Sequence, residues 1–163
     1  MKVKRLTLSA LFIAIGVLGG TAIYIPVGVS KCYPIQHAVN VLAAIILGPF
    51  YSLAIAFCIS LLRNFMGTGS LLAFPGSMIG AFIAGILYMK FKKPVAAAIG
   101  EVFGTGILGS LVAVPIANLI MGQNVGAFVY IIPFLLSTTG GSIIAYVIIK
   151  ALQNKVRSVM KGI

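Results

Sequence analysis

Acidic residues are almost missing from this chain. Glu101 is the only one among 163 residues, against twelve Lys and Arg. Chemistry that needs two carboxylates is therefore excluded. Charges of both signs make up only 8% of the residues. A soluble protein carries about 25%, and a domain of this size could not cover its surface with so few. Histidine is single, so HExxH and clustered His ligands are absent. The two cysteines, Cys32 and Cys58, lie in different segments with no CxxC. They read as small apolar fillers and imply no metal and no redox compartment. No Gly-Lys-Ser/Thr occurs, so there is no Walker A loop, and Lys161-Gly162 has the wrong order. A GxSxG nucleophile elbow is missing too. The chain cannot hydrolyse ATP alone, and neither an enzyme nor a bound cofactor is expected.

Apolar residues fill the space, at 61% of the chain. A soluble protein has roughly 45–50%. These proportions describe an all-α integral membrane protein. The formal charge of +11 would suit a nucleic-acid binder. The basic residues instead flank apolar runs, as in a membrane protein, so the expected surroundings are the lipid bilayer and not nucleic acid. Met1 to Arg5 followed by an apolar run resembles a signal peptide. The run from Leu6 to Ile25 is long enough to span ~30 Å of hydrocarbon and is read as a retained first helix.

Pro, Gly and charge divide the chain, residues 1–163, into one domain of six helices. They are expected near 6–25, 37–47, 50–66, 72–89, 95–121 and 126–152. The connector 26–36 holds two prolines and Lys31. Gly48-Pro49 is the ambiguous point, either a break or a kink in one long helix. Charge placement separates the two. With six spans, one side holds Lys2, Lys4, Arg5, Lys90, Lys92, Lys93, Lys150, Lys155, Arg157 and Lys161, and the other Lys31 and Arg63, a ratio of 10 to 2. The best five-span arrangement gives 8 to 4. Six spans with both termini cytoplasmic follow from the positive-inside rule. The second helix is then too short to cross fully and must be tilted or partly re-entrant.

Small residues recur four apart at Gly16/Gly20, Gly76/Gly80 and Gly100/Gly104, with Gly109, Ala113 and Ala117 extending the last face. Such spacing lets helices approach closely in lipid and is read as packing. Ala10 and Ala14 repeat it on the first helix.

Polar groups at membrane depth are costly and mark candidate sites. Gln36, His37 and Asn40 open helix 2, with Gln36 and Asn40 on one face. Arg63 and Asn64 lie near the end of helix 3, and Tyr130 sits one turn into helix 6. Together they could ring an outer pocket. Gln36 and His37 could equally cap helix 2, and Arg63 could snorkel to headgroups. Gly67-Thr68-Gly69 could form an anion-binding nest. Glu101 lies about seven residues into helix 5, or ~10 Å deep. It could be neutral, pair with a lysine or contact a ligand, with Thr105 one turn above on the same face.

The strings KCYPIQHAVNVLAAIILGPFYSLAIAF, SLLRNFMGTGSLLAFPGSMIGAFIAG and GEVFGTGILGS resemble the ThiW family. Those proteins are substrate-binding (S) components of energy-coupling-factor (ECF) transporters. The likeness runs from helix 1 to helix 5, and the stretch from Arg63 to Ser77 is its most specific part. It implies a six-helix bundle in the cell membrane. It also implies partners, a transmembrane coupling subunit and two ATPase subunits, which would supply the energy. Ala10-Leu11-Phe12-Ile13-Ala14 matches the AxxxA pattern by which S components dock. The implied ligand is the thiamine precursor hydroxyethylthiazole, a small uncharged heterocycle. Thiamine carries a fixed positive charge that Arg63 would repel. A stand-alone carrier with Glu101 as proton site is the alternative, and a scaffolding subunit that binds nothing is a third.

The charge asymmetry makes a direct prediction. Reporter fusions at Lys92 and Lys155 should read cytoplasmic and one at Gly69 external. An external C-terminal reporter would contradict the topology.

Overall fold

A computed structural model describes residues 2–28 and 30–162. Helix α1 runs Lys2–Ala22, α2 Pro34–Leu47, α3 Pro49–Phe65 and α4 Ala73–Phe91. Helix α5 is Pro94–Leu119. Helix α6 is Ile131–Ala151 and α7, a short polar helix, is Gln153–Gly162. Among the described residues, α1, α4, α5 and α6 are long and apolar enough to cross a membrane, while α2 and α3 are shorter apolar helices. The fold is that of an all-α membrane protein. Large apolar side chains such as Leu6, Phe50, Phe65 and Leu119 face outward, as a lipid surroundings requires.

Gly48-Pro49 is a break. Gly48 has φ +89°, which glycine adopts without strain, and Pro49 opens α3 at the position where its missing N–H costs nothing. Helix α2 is 14 residues long, about 21 Å at 1.5 Å per residue. It packs against α1, α3, α4, α5 and α6. Ten of its 14 residues are buried, so it is the central helix. Its polar residues Gln36, His37 and Asn40 are consequently inside the bundle.

The connector contains regular structure not assigned from the sequence. Ile25–Val27 (β1) and Ser30–Cys32 (β2) pair antiparallel in a hairpin, with Gly28 at φ +56° in the turn. Two three-residue strands carry too little periodicity to be read from sequence.

The small-residue face of α4 meets that of α5. A Cβ on Gly100 would lie 2.9 Å from Ala84 Cα, one on Gly104 2.7 Å from Gly80 Cα, and one on Gly109 2.5 Å from Gly76 Cα. On α4 these positions are spaced four and four; on α5 they are spaced four and five. The extra residue is absorbed by a π-helical stretch, Gly104–Gly109. Its wider turn returns Gly109 to the α4-facing side. The seam brings the α4 backbone against the Glu101 and Thr105 side chains. No Cβ fits at Gly80, where Thr105 Oγ1 already stands.

Gly109→Ala should lower stability by ~1–3 kcal/mol, the usual cost of overpacking, because backbone must move. Gly126→Ala should cost nothing, since nothing lies within 4 Å of its Cβ position. Thermal unfolding in detergent measures both; equal midpoints would refute the seam.

Candidate functional site

Five of the sequence-predicted polar residues, Gln36, His37, Asn40, Arg63 and Glu101, converge on one hydrogen-bonded chain beneath the hairpin. Arg63 is fully buried. Its Nη1 donates to Gln36 Oε1 and its Nη2 to the Thr68 carbonyl at 2.9 Å. The guanidinium stacks 3.8 Å from the Tyr33 ring centroid, and Gly20 of α1 leaves room beside it. The snorkelling reading is thereby replaced: Arg63 points into the protein, not to headgroups. Nor does it line the cavity described below. It ties together α1, the hairpin exit, α2 and the loop after α3.

The chain continues inward. Gln36 Nε2 donates to Ser77 Oγ at 3.0 Å and Ser60 Oγ at 3.3 Å. Asn40 Nδ2 donates to the same Ser77 Oγ at 2.9 Å and to Glu101 Oε1 at 3.0 Å. Thr105 Oγ1 reaches Glu101 Oε1 at 3.2 Å and the Gly76 carbonyl at 3.0 Å. His37 Nδ1 and Glu101 Oε1 are hydrogen-bonded at 2.7 Å. Thus the single acid pairs with the single histidine, rather than with a lysine. One charge of each sign stands at either end, joined through Gln36, Ser77 and Asn40. Glu101 Oε2, Asn40 Oδ1 and Arg63 Nε have no partner among the described residues.

The suggested anion nest is occupied by the chain itself. The N–H groups of Thr68 and Gly69 both donate to the Arg63 carbonyl, at 2.9 Å each. Asn64 holds the same loop, its Nδ2 donating to the Ser60 and Ser70 carbonyls at 2.8 and 3.0 Å.

Above the network lies a cavity of about 40 Å³, room for one or a few waters. Gln36 and His37 of α2 line it, with Ser77 of α4, Thr105 of α5, and Phe134 and Ser137 of α6. Ser30 and Lys31 of the hairpin cover it. Ser77 Oγ accepts two hydrogen bonds, so its own proton remains to be donated. Ser137 Oγ accepts the Tyr33 N–H at 2.7 Å and is placed likewise. With Nδ1 engaged by Glu101, Nε2 is the ring nitrogen left for another partner. The cavity therefore offers hydroxyl groups and one imidazole nitrogen.

Of the candidate residues, Gln36 and His37 line the cavity, and Asn40 and Glu101 support them from behind. Arg63 and Asn64 brace the 67–70 loop, and Arg63 also packs on Tyr33 at the hairpin exit. Tyr130 stands apart in a cluster with Leu72, Ala113 and Ala117, its hydroxyl donating to Gln123 Oε1 at 2.6 Å. It touches the site through Phe134, ring centroids 5.9 Å apart. Ala10 and Ala14 are exposed along α1. Ser77, Ser137 and Phe134 were not singled out in the sequence. The one usable signal was Ser77, a hydroxyl set among the glycines of an apolar helix. No group of three or more His, Cys, Asp or Glu that could hold a metal ion exists among the described residues.

The structure thus places a buried polar network beneath a small cavity in a bundle of apolar helices. Residues 6–155 match the thiamine-precursor transporter family, ThiW. The chain belongs to that family. No curated protein and no solved structure gives a significant match. As a ThiW-family transporter, it is a multi-pass membrane protein that handles a small molecule.

Arg63→Lys keeps the charge but loses the planar fork and the stacking surface. Hydrogen bonds to charged groups are worth ~1.5–3 kcal/mol each, so this substitution should destabilise by about 2–4 kcal/mol. Limited proteolysis should then cut the 67–70 loop or the hairpin faster. An unchanged unfolding midpoint and cleavage rate would return Arg63 to a surface role.

Proposed function

We propose that this protein is the substrate-capture S component of an ECF importer and that its ligand is hydroxyethylthiazole. The observation that carries the proposal is the cavity's hydrogen-bonding pattern. Ser77 and Ser137 supply donors suited to a thiazole ring nitrogen, and His37 Nε2 supplies a partner suited to an alcohol. Phe134 supplies a flat apolar wall. The only carboxylate, Glu101, is committed to His37, Asn40 and Thr105. No free acid is left to balance the fixed charge of thiamine, and Lys31 at the lid opposes it.

In this reading the hairpin is the lid. Its second strand is tied to α6, Cys32 Sγ donating to the Pro133 carbonyl at 3.1 Å, whereas Tyr24 and Ile25 at its start are exposed. A cavity of about 40 Å³ is too small for a five-membered ring with its substituents. Ligand entry requires the hairpin to lift about the Cys32-Tyr33 tie. Arg63 stacks on Tyr33 and bonds Gln36, so lid position and cavity floor are mechanically joined. Six spans with both termini cytoplasmic put the lid outside. The exposed small face of Ala10 and Ala14 is the docking surface for the coupling subunit, with two ATPase subunits beyond it. The proton-carrier alternative needs Glu101 to exchange its proton between the two sides. With Oε1 held by three partners, Glu101 serves better as the anchor of the network.

Titration calorimetry on the purified chain should show hydroxyethylthiazole binding and thiamine binding much more weakly. Ser77→Ala should weaken the thiazole by up to about tenfold, one hydrogen bond's worth. Ala10→Trp and Ala14→Trp should leave this affinity intact while abolishing co-purification with the coupling subunit, because bulk prevents close helix approach. Tighter binding of thiamine, or normal assembly of both tryptophan variants, would overturn the respective assignment.

A further inference from the structure

At the other end of the bundle the molecule carries a second hollow, unconnected with the first. A crevice of about 370 Å³ opens between the α4–α5 turn, the end of α6 and the polar helix α7. Its rim holds Lys92, Lys93 and Lys150; its floor is apolar, with Ile45, Ile149 and Met160. At Val95 and Tyr146 the crevice borders a groove of about 490 Å³ between α5 and α6. That groove passes Val102, Phe103, Leu135 and Ile143, and its wall presents no polar surface. From Val95 to Ile107 it follows α5 for about 18 Å at 1.5 Å per residue.

We propose that the crevice and the adjoining groove together form a binding site for one anionic phospholipid, with the phosphate-bearing headgroup among Lys92, Lys93 and Lys150 and an acyl chain in the α5–α6 groove. Charge is the first ground. The three lysines have no acidic side chain to pair with, because the chain's single acid, Glu101, is buried and bonded to His37. Their counter-anion must come from outside the protein. Shape is the second. A soluble anion needs only the cationic crevice, and an acidic protein surface would not enter an apolar groove running along the helices. A molecule with a charged head and a long apolar tail fills both. Lys92 adds a third. It caps α4 with φ +54°, the one positive φ at a non-glycine position among the described residues. Glycine is the unstrained choice there, so a cation is kept at a conformational cost. Basic pockets between membrane helices favour anionic headgroups for these same electrostatic reasons.

Native mass spectrometry of the purified full chain tests this, with phosphatidylglycerol, phosphatidylcholine and inorganic phosphate added in parallel. The chain should retain one phosphatidylglycerol under activation that strips phosphatidylcholine. Replacing all three lysines, Lys92→Gln, Lys93→Gln and Lys150→Gln, should weaken that retention by roughly 100-fold, given the contribution of each basic residue near a charged lipid. Ile143→Trp, which fills the groove and leaves the lysines, should weaken it as well. The lysines are exposed, so the triple variant should fold, and an unchanged unfolding midpoint without lipid verifies that. Equal retention of the two lipids, or protection by inorganic phosphate equal to that by phosphatidylglycerol, would overturn the proposal. So would a triple variant that keeps its lipid but no longer co-purifies with partner subunits, which would assign the lysines to a protein.

Discussion

A charged group placed in the interior of an apolar helical bundle must find its hydrogen-bond partners within the protein, because neither lipid nor water supplies them. Arg63 and Glu101 both meet that constraint, and much of the site follows from how they do so. The arginine recruits Gln36, Tyr33 and the Thr68 carbonyl. The glutamate recruits His37, Asn40 and Thr105. Ser77 accepts from both sides and closes the chain. Removing a member leaves a buried donor or acceptor unpaired, which costs more than the bond itself contributed. The polar side chains facing the cavity are thus held by their partners rather than by local propensity. Preorganisation of this kind lowers the ordering cost of ligand binding.

That network needs α2, α4 and α5 closer together than ordinary side chains permit. The seam of Gly76, Gly80 and Ala84 against Gly109, Gly104 and Gly100 provides the approach. The π-helical stretch keeps the seam in register along α5 and begins just after Glu101. Packing and polar chemistry are therefore joined: Gly80, one of the glycines that let α4 and α5 touch, also makes room for the Thr105 and Glu101 side chains. The hairpin leads into this platform at Tyr33, whose ring lies against the arginine.

Much of the architecture was legible in the sequence. Apolar runs interrupted by Gly48-Pro49, Gly67–Ser70 and Lys92–Pro94 marked the helices, since glycine, proline and charge interrupt apolar helices for general physical reasons. Four-residue spacing of glycines predicted the packing faces, although the five-residue step at Gly109 needed the π stretch to be understood. The rarity of polar residues drew attention to Gln36, His37, Asn40, Arg63 and Glu101. Their partners were not legible. Whether Arg63 turns outward to headgroups or inward to Gln36 depends on the hairpin and on Gly20, which come from distant parts of the chain. Depth estimated along a single helix does not say which neighbour Glu101 meets. Helix α2 is short and buried at the centre of the bundle, so the two meet. Ser137 and Phe134 belong to a long apolar helix, where nothing local distinguishes them from packing.

The central claim is that Arg63 and Glu101 belong to a single energetic unit. A double-mutant cycle tests it most directly, with Arg63→Gln, Glu101→Gln and the double variant compared by equilibrium unfolding in mixed micelles. Groups in one hydrogen-bond network couple by about 0.5–3 kcal/mol, whereas independent sites add within about 0.3–0.5 kcal/mol. The network predicts a double variant less destabilised than the sum of the singles by ~1 kcal/mol or more. Additivity within error would mean that the arginine and the glutamate are held separately, and would contradict the account.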